Sequence, residues 1–478
     1  MQRTVISLLL LVAVAAADDL APRLRAALVK LQVTSQSYDS AEPWKKRPVR
    51  TIQGRGVVIQ PGVILTRAAN VRDQRMIEIS VANSARLYPA RLKHVDPRIG
   101  LALVEITDPE LANQLQPLEI GAPVKLDDEF SIWQLGGDNL LERFTARVVS
   151  ANAAATRLNL RLKTTCSDKG NGQVALRDGK LVGLMTGTVR SRQEGTILSV
   201  ETLRHYLDDF ADGTYNGCPG AGLWVEPLLR DDLRAFYRLA PDQHGIAISR
   251  TMPGRTGDGV LRAGDVLLEV DGFDLDDEGK FIHPVHGRLD ASYLFQGRRY
   301  AGDRVKAKIL RKGKVEEVSF ELKSFPAAEM RVPDRPPGGR PQFLMVGGLV
   351  ILELNGSQSI SRSPGGVILR RYKERALWDP PSKRKRIVFV DHVLQDPANK
   401  GFERMRYATI AKVNGQTVAD IATIAKALEF PVGGFHVFEF EGVESDFVIP
   451  ADKRAATDQR IAKNYKVTRA RYLVGDPE

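Results

Sequence analysis

The chain has little from which to build a metal centre or a cross-linked scaffold. Its 478 residues include only 2 Cys and 7 His. Two thiols cannot form a disulfide-dense framework or a four-thiolate zinc site. No two histidines stand in an H-x-x-x-H pair, which argues against a helix-borne histidine site. We therefore expect no metal and no cofactor. No stretch beyond the N-terminus is apolar for 18 residues, the length a membrane-spanning helix needs. With 43% hydrophobic and 27% charged residues, the composition excludes disorder, collagen and coiled coil. The charge is basic, with 69 Lys+Arg against 58 Asp+Glu and a net of +11. The one dense basic run, Lys383–Arg386, follows Asp-Pro-Pro-Ser and precedes an apolar stretch, so it reads as a solvated loop. Elsewhere the two signs are interleaved and no aromatic-basic platform appears, so nucleic acid is not an expected partner.

What is present begins with Met1–Ala17, MQRTVISLLLLVAVAAA. One basic residue, a short apolar run and small residues at Ala15 and Ala17 have the form of a secretory signal, too short to span a bilayer. The alternative is a buried N-terminal helix. The expected location is periplasmic or otherwise exported. In an oxidising compartment Cys166 and Cys218 could pair, but sequence cannot supply their separation in space, and both are expected free and buried.

The remaining length suggests two to four domains. From Val49 to about Val200, short apolar runs such as Gly56–Ile59, Leu101–Val104, Leu158–Leu162 and Leu181–Met185 alternate with turn signals, the texture of a sandwich or barrel. Leu203–Phe210 then shows the period of an amphipathic helix. After Gly213 the texture is mixed α/β: strands are expected at 221–228, 245–249 and 264–272, a helix at 231–237, and a hairpin across Lys312-Gly313-Lys314. Val332–Pro341 is a Pro/Gly linker. Phe343 to about Pro450 partly repeats the preceding module, with Ile410–Val418 echoing Leu267–Leu275 and a helix at 420–428. The expected division is signal 1–17, barrel domain 18–213, first small module 214–326, linker 327–342, second module 343–460 and tail 461–478.

Three stretches resemble the HtrA/Deg family of trypsin-like serine proteases: Gly54–Ile59 with Val63–Ala69, Asp96–Val104, and Gly170–Leu176 with Asp178–Gly183. In that family they present the catalytic His, the Asp that orients it and the nucleophilic Ser. Carried over residue by residue, these places hold Ala69, Gly100 and Gly172. A Ser hydroxyl needs a hydrogen-bonded imidazole to take its proton, and the imidazole needs a carboxylate to hold its tautomer. Ala and Gly do neither. A one-residue slip puts Asn70 at the His place, and the first histidine of the chain is His94. A shift at the third place gives Gly170; a larger one gives Ser167, which has no base. His94 and Asp96 are expected as an exposed charged pair. The loop glycines could retain something of an oxyanion hole.

The second segment resembles the entry and later landmarks of HtrA-type PDZ domains: Ala221–Leu228, Gly245–Arg250, Pro253-Gly254 and Leu261–Gly272. Ala221, Gly222, Leu223 and Trp224 would form the loop that receives a peptide C-terminus, which then adds as a strand to an open sheet edge. The bland reading makes Gly222 a bend and Trp224 core. The long Phe281–Gly302 segment, with Phe343–Val350, Ile387–Leu394 and Val437–Glu441, resembles a plant and bacterial Deg subgroup with a divergent second PDZ domain. The resemblance implies a mainly β, multidomain fold: a trypsin-like double β-barrel followed by two α/β PDZ-like domains. It implies an exported, catalytically inactive relative that captures C-termini or β-edges of unfolded exported proteins, as holdase, adaptor or regulator. Possible partners include active HtrA/Deg relatives and further copies of itself. The alternatives are a serine endopeptidase with residual or unconventional activity, and a scaffold with an occluded groove.

Overall fold

The structure is a computed structural model, and it describes residues 20–220, 222–324, 329–335, 338–358, 360, 363–375 and 384–476. The leader Met1–Ala17, Ala221, Lys383 and part of the Pro/Gly linker lie outside them. The chain divides into two compact units, residues 1–35 with 50–324, and residues 36–49 with 325–478.

The first unit opens with two closed antiparallel barrels. One comprises β1 (Leu28–Ser35), β2 (Arg50–Gln60), β3 (Val63–Arg67), β4 (Gln74–Val81), β5 (Tyr88–Asp96) and β6 (Leu101–Ile106), in the order β1-β2-β3-β6-β5-β4. The other comprises β7 (Glu129–Leu135), β8 (Leu141–Ala154), β9 (Arg157–Thr164), β10 (Val174–Arg177), β11 (Lys180–Val189) and β12 (Glu194–Ser199), in the order β10-β11-β12-β9-β8-β7. Alternation along β9, where Leu158, Leu160 and Leu162 are fully buried, sends one face to the barrel core. Each apolar run singled out in the sequence lies in a strand. A short helix α1 (Pro109–Gln114) is capped by Asp108, and α2 (Val200–Asp209) is capped by Ser199. Leu203 and Tyr206 of α2 are fully buried, as the amphipathic period requires.

The first small module belongs to the same unit. Its sheet runs β13 (Leu223–Pro227), β14 (Ile246–Thr251), β15 (Val266–Val270), β19 (Arg304–Arg311) and β20 (Lys314–Glu321), with β16 (Phe273–Asp274) on β15. Helix α3 (Asp231–Phe236) follows β13. The long segment after β16 forms the hairpin β17 (Lys280–His283) and β18 (Gly287–Asp290), then α4 (Ser292–Gln296). Tyr293, Leu294 and Phe295 are buried in one cluster with Ala153 and Leu158 of the second barrel. His286 Nε2 lies 2.5 Å from Glu201 Oε1 of α2. Arg98 donates to the carbonyls of Cys218 and Pro219, fastening the connecting segment to the first barrel. The module is thus packed on the barrels through its extra segment.

The second unit is a sheet ordered β27-β26-β24-β23-β22-β21-β28. Its strands are β21 (Phe343–Val346), β22 (Leu349–Glu353), β23 (Val388–Val393), β24 (Ala408–Val413), β25 (Gln416–Thr417), β26 (Phe435–Phe440), β27 (Phe447–Pro450) and β28 (Arg471–Tyr472). Helices α5 (Pro364–Arg375), α6 (Ile421–Ala427) and α7 (Ala451–Asn464) accompany it. Two boundaries and one loop differ from the sequence reading. Residues 36–49 leave the barrel domain and join this unit, where Trp44 packs against Phe343 at 6.0 Å between ring centroids. The described part of the expected tail, 461–476, belongs to the unit: Ile461 of α7 is fully buried, and Tyr472 pairs with Phe343 in the sheet. Nor is the basic run a solvated loop, because Arg384 pairs with Glu441 and Arg386 donates to the Met330 carbonyl.

Candidate functional site

The three triad places come together between the barrels. Ala69 sits exposed in a single 3-10 turn, Ala68–Val71, that continues β3. The Ala68 N–H donates to the Gly100 carbonyl at 2.9 Å, joining that turn to the one that links β5 and β6. Asn70 is buried, and its Nδ2 donates to Thr66 Oγ1 at 3.0 Å and to the Asn171 carbonyl at 2.9 Å. Gly172 closes the group: a Cβ built on it would stand 3.4 Å from Asn70 Nδ2 and 2.6 Å from the Arg55 carbonyl oxygen.

The backbone at two of these places is of a kind that favours glycine. Gly100 has φ +87° and Gly172 φ +96°, a region where a Cβ is strained. Gly170 is also blocked, since a Cβ there would lie 2.1 Å from the Gly187 nitrogen. The loop's amides are engaged as well. Gly172 N–H donates to the Met185 carbonyl at 3.0 Å, and Asn171 N–H donates to Gln173 Oε1 at 2.9 Å. The loop is pinned from the other barrel: Arg55 N–H and Asn70 Nδ2 both reach the Asn171 carbonyl, and Arg67 donates to the Gly170 carbonyl. An oxyanion hole needs N–H groups aimed outward at developing charge. The amides of Asn171 and Gly172 point into the loop's own bonds, so that expectation fails for them.

His94 and Asp96 also depart from expectation, being neither exposed nor paired with each other. His94 Nδ1 lies 2.8 Å from the Tyr206 hydroxyl, and its ring packs 4.3 Å from Tyr215. Burial lowers its pKa, against the nearby charges of Asp96 and Asp209. Asp96 is buried and accepts from the Tyr215 hydroxyl and from the N–H groups of Arg98 and Ile99. Burial pushes the Tyr206 and Tyr215 hydroxyls well above the ordinary tyrosine range. The cluster packs β5 against Tyr206 and Tyr215. Ser167 accepts from Arg190 at 3.4 Å and has no imidazole beside it.

Cys166 and Cys218 are free and buried, as expected. Burial raises the Cys166 thiol and pushes Cys218 up to about 12. Because the thiolate is the reactive form, native protein should show no fast-reacting thiol with Ellman's reagent, and both thiols after denaturation. A rapid native equivalent would contradict the burial.

Sequence reasoning missed the cations of this site. Arg55 and Arg67 are both half-buried between the barrels, and burial lowers the pKa of each. Asp168 and Glu142 partly offset the effect for Arg55, whereas the neighbouring charge of Arg157 adds to it for Arg67. Among the described residues no group of three or more His, Cys, Asp or Glu side chains could hold a metal ion, and no helix is long and apolar enough to cross a membrane.

The peptide-binding loop fares differently. Gly222 has φ +66°, and a Cβ on it would lie 2.6 Å from the Thr256 carbonyl oxygen. The Met252 N–H donates to the Gly222 carbonyl at 2.9 Å. Close approach of two backbones, more than a simple bend, sets the glycine here. Leu223 packs against the module's core. Trp224 is 54% exposed, which overturns the core reading. It lies on β13, which ends its sheet and, among the described residues, pairs with β14 alone.

The fold and the joined halves define a trypsin-like peptidase domain carrying PDZ modules. Residues 54–184 match the family model described as trypsin-like peptidase domain, and residues 332–472 match the one described as PDZ domain. Among curated relatives, Protease Do-like 2, chloroplastic, of Arabidopsis thaliana is 25% identical over 457 residues, 92% of this chain and 74% of its own length. Protease Do-like 4, mitochondrial, of the same plant is 23% identical over 397 residues, 81% of this chain and 74% of its own. Among solved structures, an HtrA-type protease AlgW with tripeptide shares the fold at a TM-score of 0.50 and 15% identity, over 67% of this chain and 98% of its own. The two domain matches and the Do-like relatives support the HtrA/Deg family for this chain.

Proposed function

We propose that this protein is an exported, catalytically inactive member of the family, which captures peptide C-termini or exposed β-edges of other exported proteins in quality control, as holdase, adaptor or regulator. The observation that carries the reading is the place of the His: Ala69 stands there, and the chain has no histidine before His94. The loop at 170–172 supports it, since its glycine backbone and inward-facing amides suit neither a nucleophile nor an oxyanion. The Do-like relatives bear the name protease, and residual endopeptidase activity is the rival reading.

Capture rests on β13. Val225 and Glu226 are exposed beside Trp224 on this edge strand, and an incoming strand would gain main-chain hydrogen bonds there. Gly222 and Leu223 would form the receiving loop with Ala221, which lies outside the described residues. The test is titration of a labelled apolar C-terminal peptide against the whole chain, because an isolated 214–326 fragment would expose Tyr293 and Phe295. Saturable binding is expected, at least about tenfold weaker after C-terminal amidation, since a charge-assisted bond is lost. Binding that ignores amidation, or none, would sink the groove.

A further inference from the structure

Two guanidinium groups bound the space that a triad would fill. Arg157, at the start of β9 in the second barrel, brings its Nη1 to 3.4 Å from where a Cβ on Gly100 would stand. Arg67, at the end of β3 in the first barrel, donates to the Gly170 carbonyl. The charge of Arg157 adds to the effect of burial in lowering the Arg67 pKa, and no acidic side chain offsets it. Neither forms an ion pair with any described carboxylate. Arg157 Nε is shielded from solvent and has no hydrogen-bond partner. Two half-buried like charges, one with an idle donor, are a costly arrangement when nothing answers them. The three triad places beside them, Ala69, Gly100 and Gly172, carry between them a single methyl group.

We propose that the Arg67–Arg157 pair is a binding site for an oxyanion, a carboxylate or phosphate group, set in the vestigial active site. Guanidinium forks fit such groups in a planar, bidentate way, and the open side of the site is at exposed Ala69 and at Gly100, where a Cβ would meet only Arg157. In place of a carboxylate of its own, this site offers cations to someone else's. An acidic residue of a captured chain is one source of the group, and a free anion is the other.

The probes are inorganic phosphate and N-acetylglutamate amide, each added to the full chain and compared with sodium chloride at equal ionic strength. Thermal unfolding is the readout. Either probe should raise the midpoint in a saturable way beyond the chloride control. A response to phosphate alone assigns a free anion, and a response to the glutamate probe assigns a carboxylate carried on a chain. Arg157→Gln should weaken the apparent affinity at least about tenfold, as expected for a charge-assisted pair. Without anion it should unfold no earlier than wild type, because it removes repulsion. Gly100→Asp supplies an internal carboxylate beside Arg157 and should abolish the response. No response in wild type, equal responses in wild type and Arg157→Gln, or a large loss of anion-free stability in Arg157→Gln would each overturn the site.

Discussion

Restoring the triad by Ala69→His, Gly100→Asp and Gly172→Ser together is expected to yield a less stable protein that still cleaves nothing. The reason lies in the backbone. Ala69 is exposed and can accept an imidazole, and Asp is among the residues that best tolerate a left-handed position such as Gly100. Gly172 is the obstacle. A Ser there takes on φ +96° and drives its Cβ to 2.6 Å from the Arg55 carbonyl oxygen. That oxygen is fixed, because it accepts from Thr66 Oγ1 at 2.7 Å. Strain of this kind costs about 1–3 kcal/mol, and forced displacement adds a similar amount. Gly172→Ser alone should therefore lower the thermal midpoint by on the order of 5 °C, read by calorimetry. The triple variant should show no acylation by a serine-directed probe. Full stability together with rapid acylation would mean that the loop re-forms readily.

The second large effect is expected at the contact of the PDZ insertion with the barrels. His286 and Glu201 form a buried pair, their side chains only 1% and 19% exposed, and Glu201 Oε2 already lacks a partner. Removing one member of such a pair leaves an uncompensated charge, which costs about 3 kcal/mol. His286→Ala should lose that much in urea unfolding of the first unit, while adding Glu201→Gln should recover part of it, the coupling expected of residues in contact. A loss below about 0.5 kcal/mol, the size of an ordinary surface change, would show that the pair does not hold the insertion. The pair also has a pH signature. Burial raises the Glu201 pKa, but the hydrogen bond and charge of His286 outweigh it and leave the carboxyl below its ordinary value. Its contribution is thus full above the unfolded Glu value of about 4.3, and is lost as pH falls through the lowered folded value. His286→Ala should flatten that acid limb.

The barrels were legible because their signals are local. Gly56–Ile59, Val63–Thr66 and Leu101–Val104 are apolar runs cut by turns, and each became a strand. What was not legible depends on residues far apart in the chain. Arg157 reaches Gly100 only because the two barrels close against one another, and nothing around Ala155–Leu158 announces it. The inward turn of the Gly172 amide needs Met185 across the loop. Tyr293-Leu294-Phe295 is too short an apolar run to reveal that it docks on β8. Helix α7 misled through composition: the stretch Ala451–Asn464 is mostly charged and polar, and only Ile461 and Thr457 are buried. Its last residues, from Ile461 on, therefore resemble the start of a solvated tail until the sheet beside them is seen.

The central claim is that this double barrel has lost proteolysis. The most direct test is digestion of unfolded casein by the purified wild-type chain, beside an active trypsin-like control. We expect no cleavage above buffer over hours, with casein intact on a gel. Reproducible cleavage that co-purifies with the chain through every step, and is reduced by Arg55 or Asn70 substitutions at the inter-barrel site, would contradict the claim.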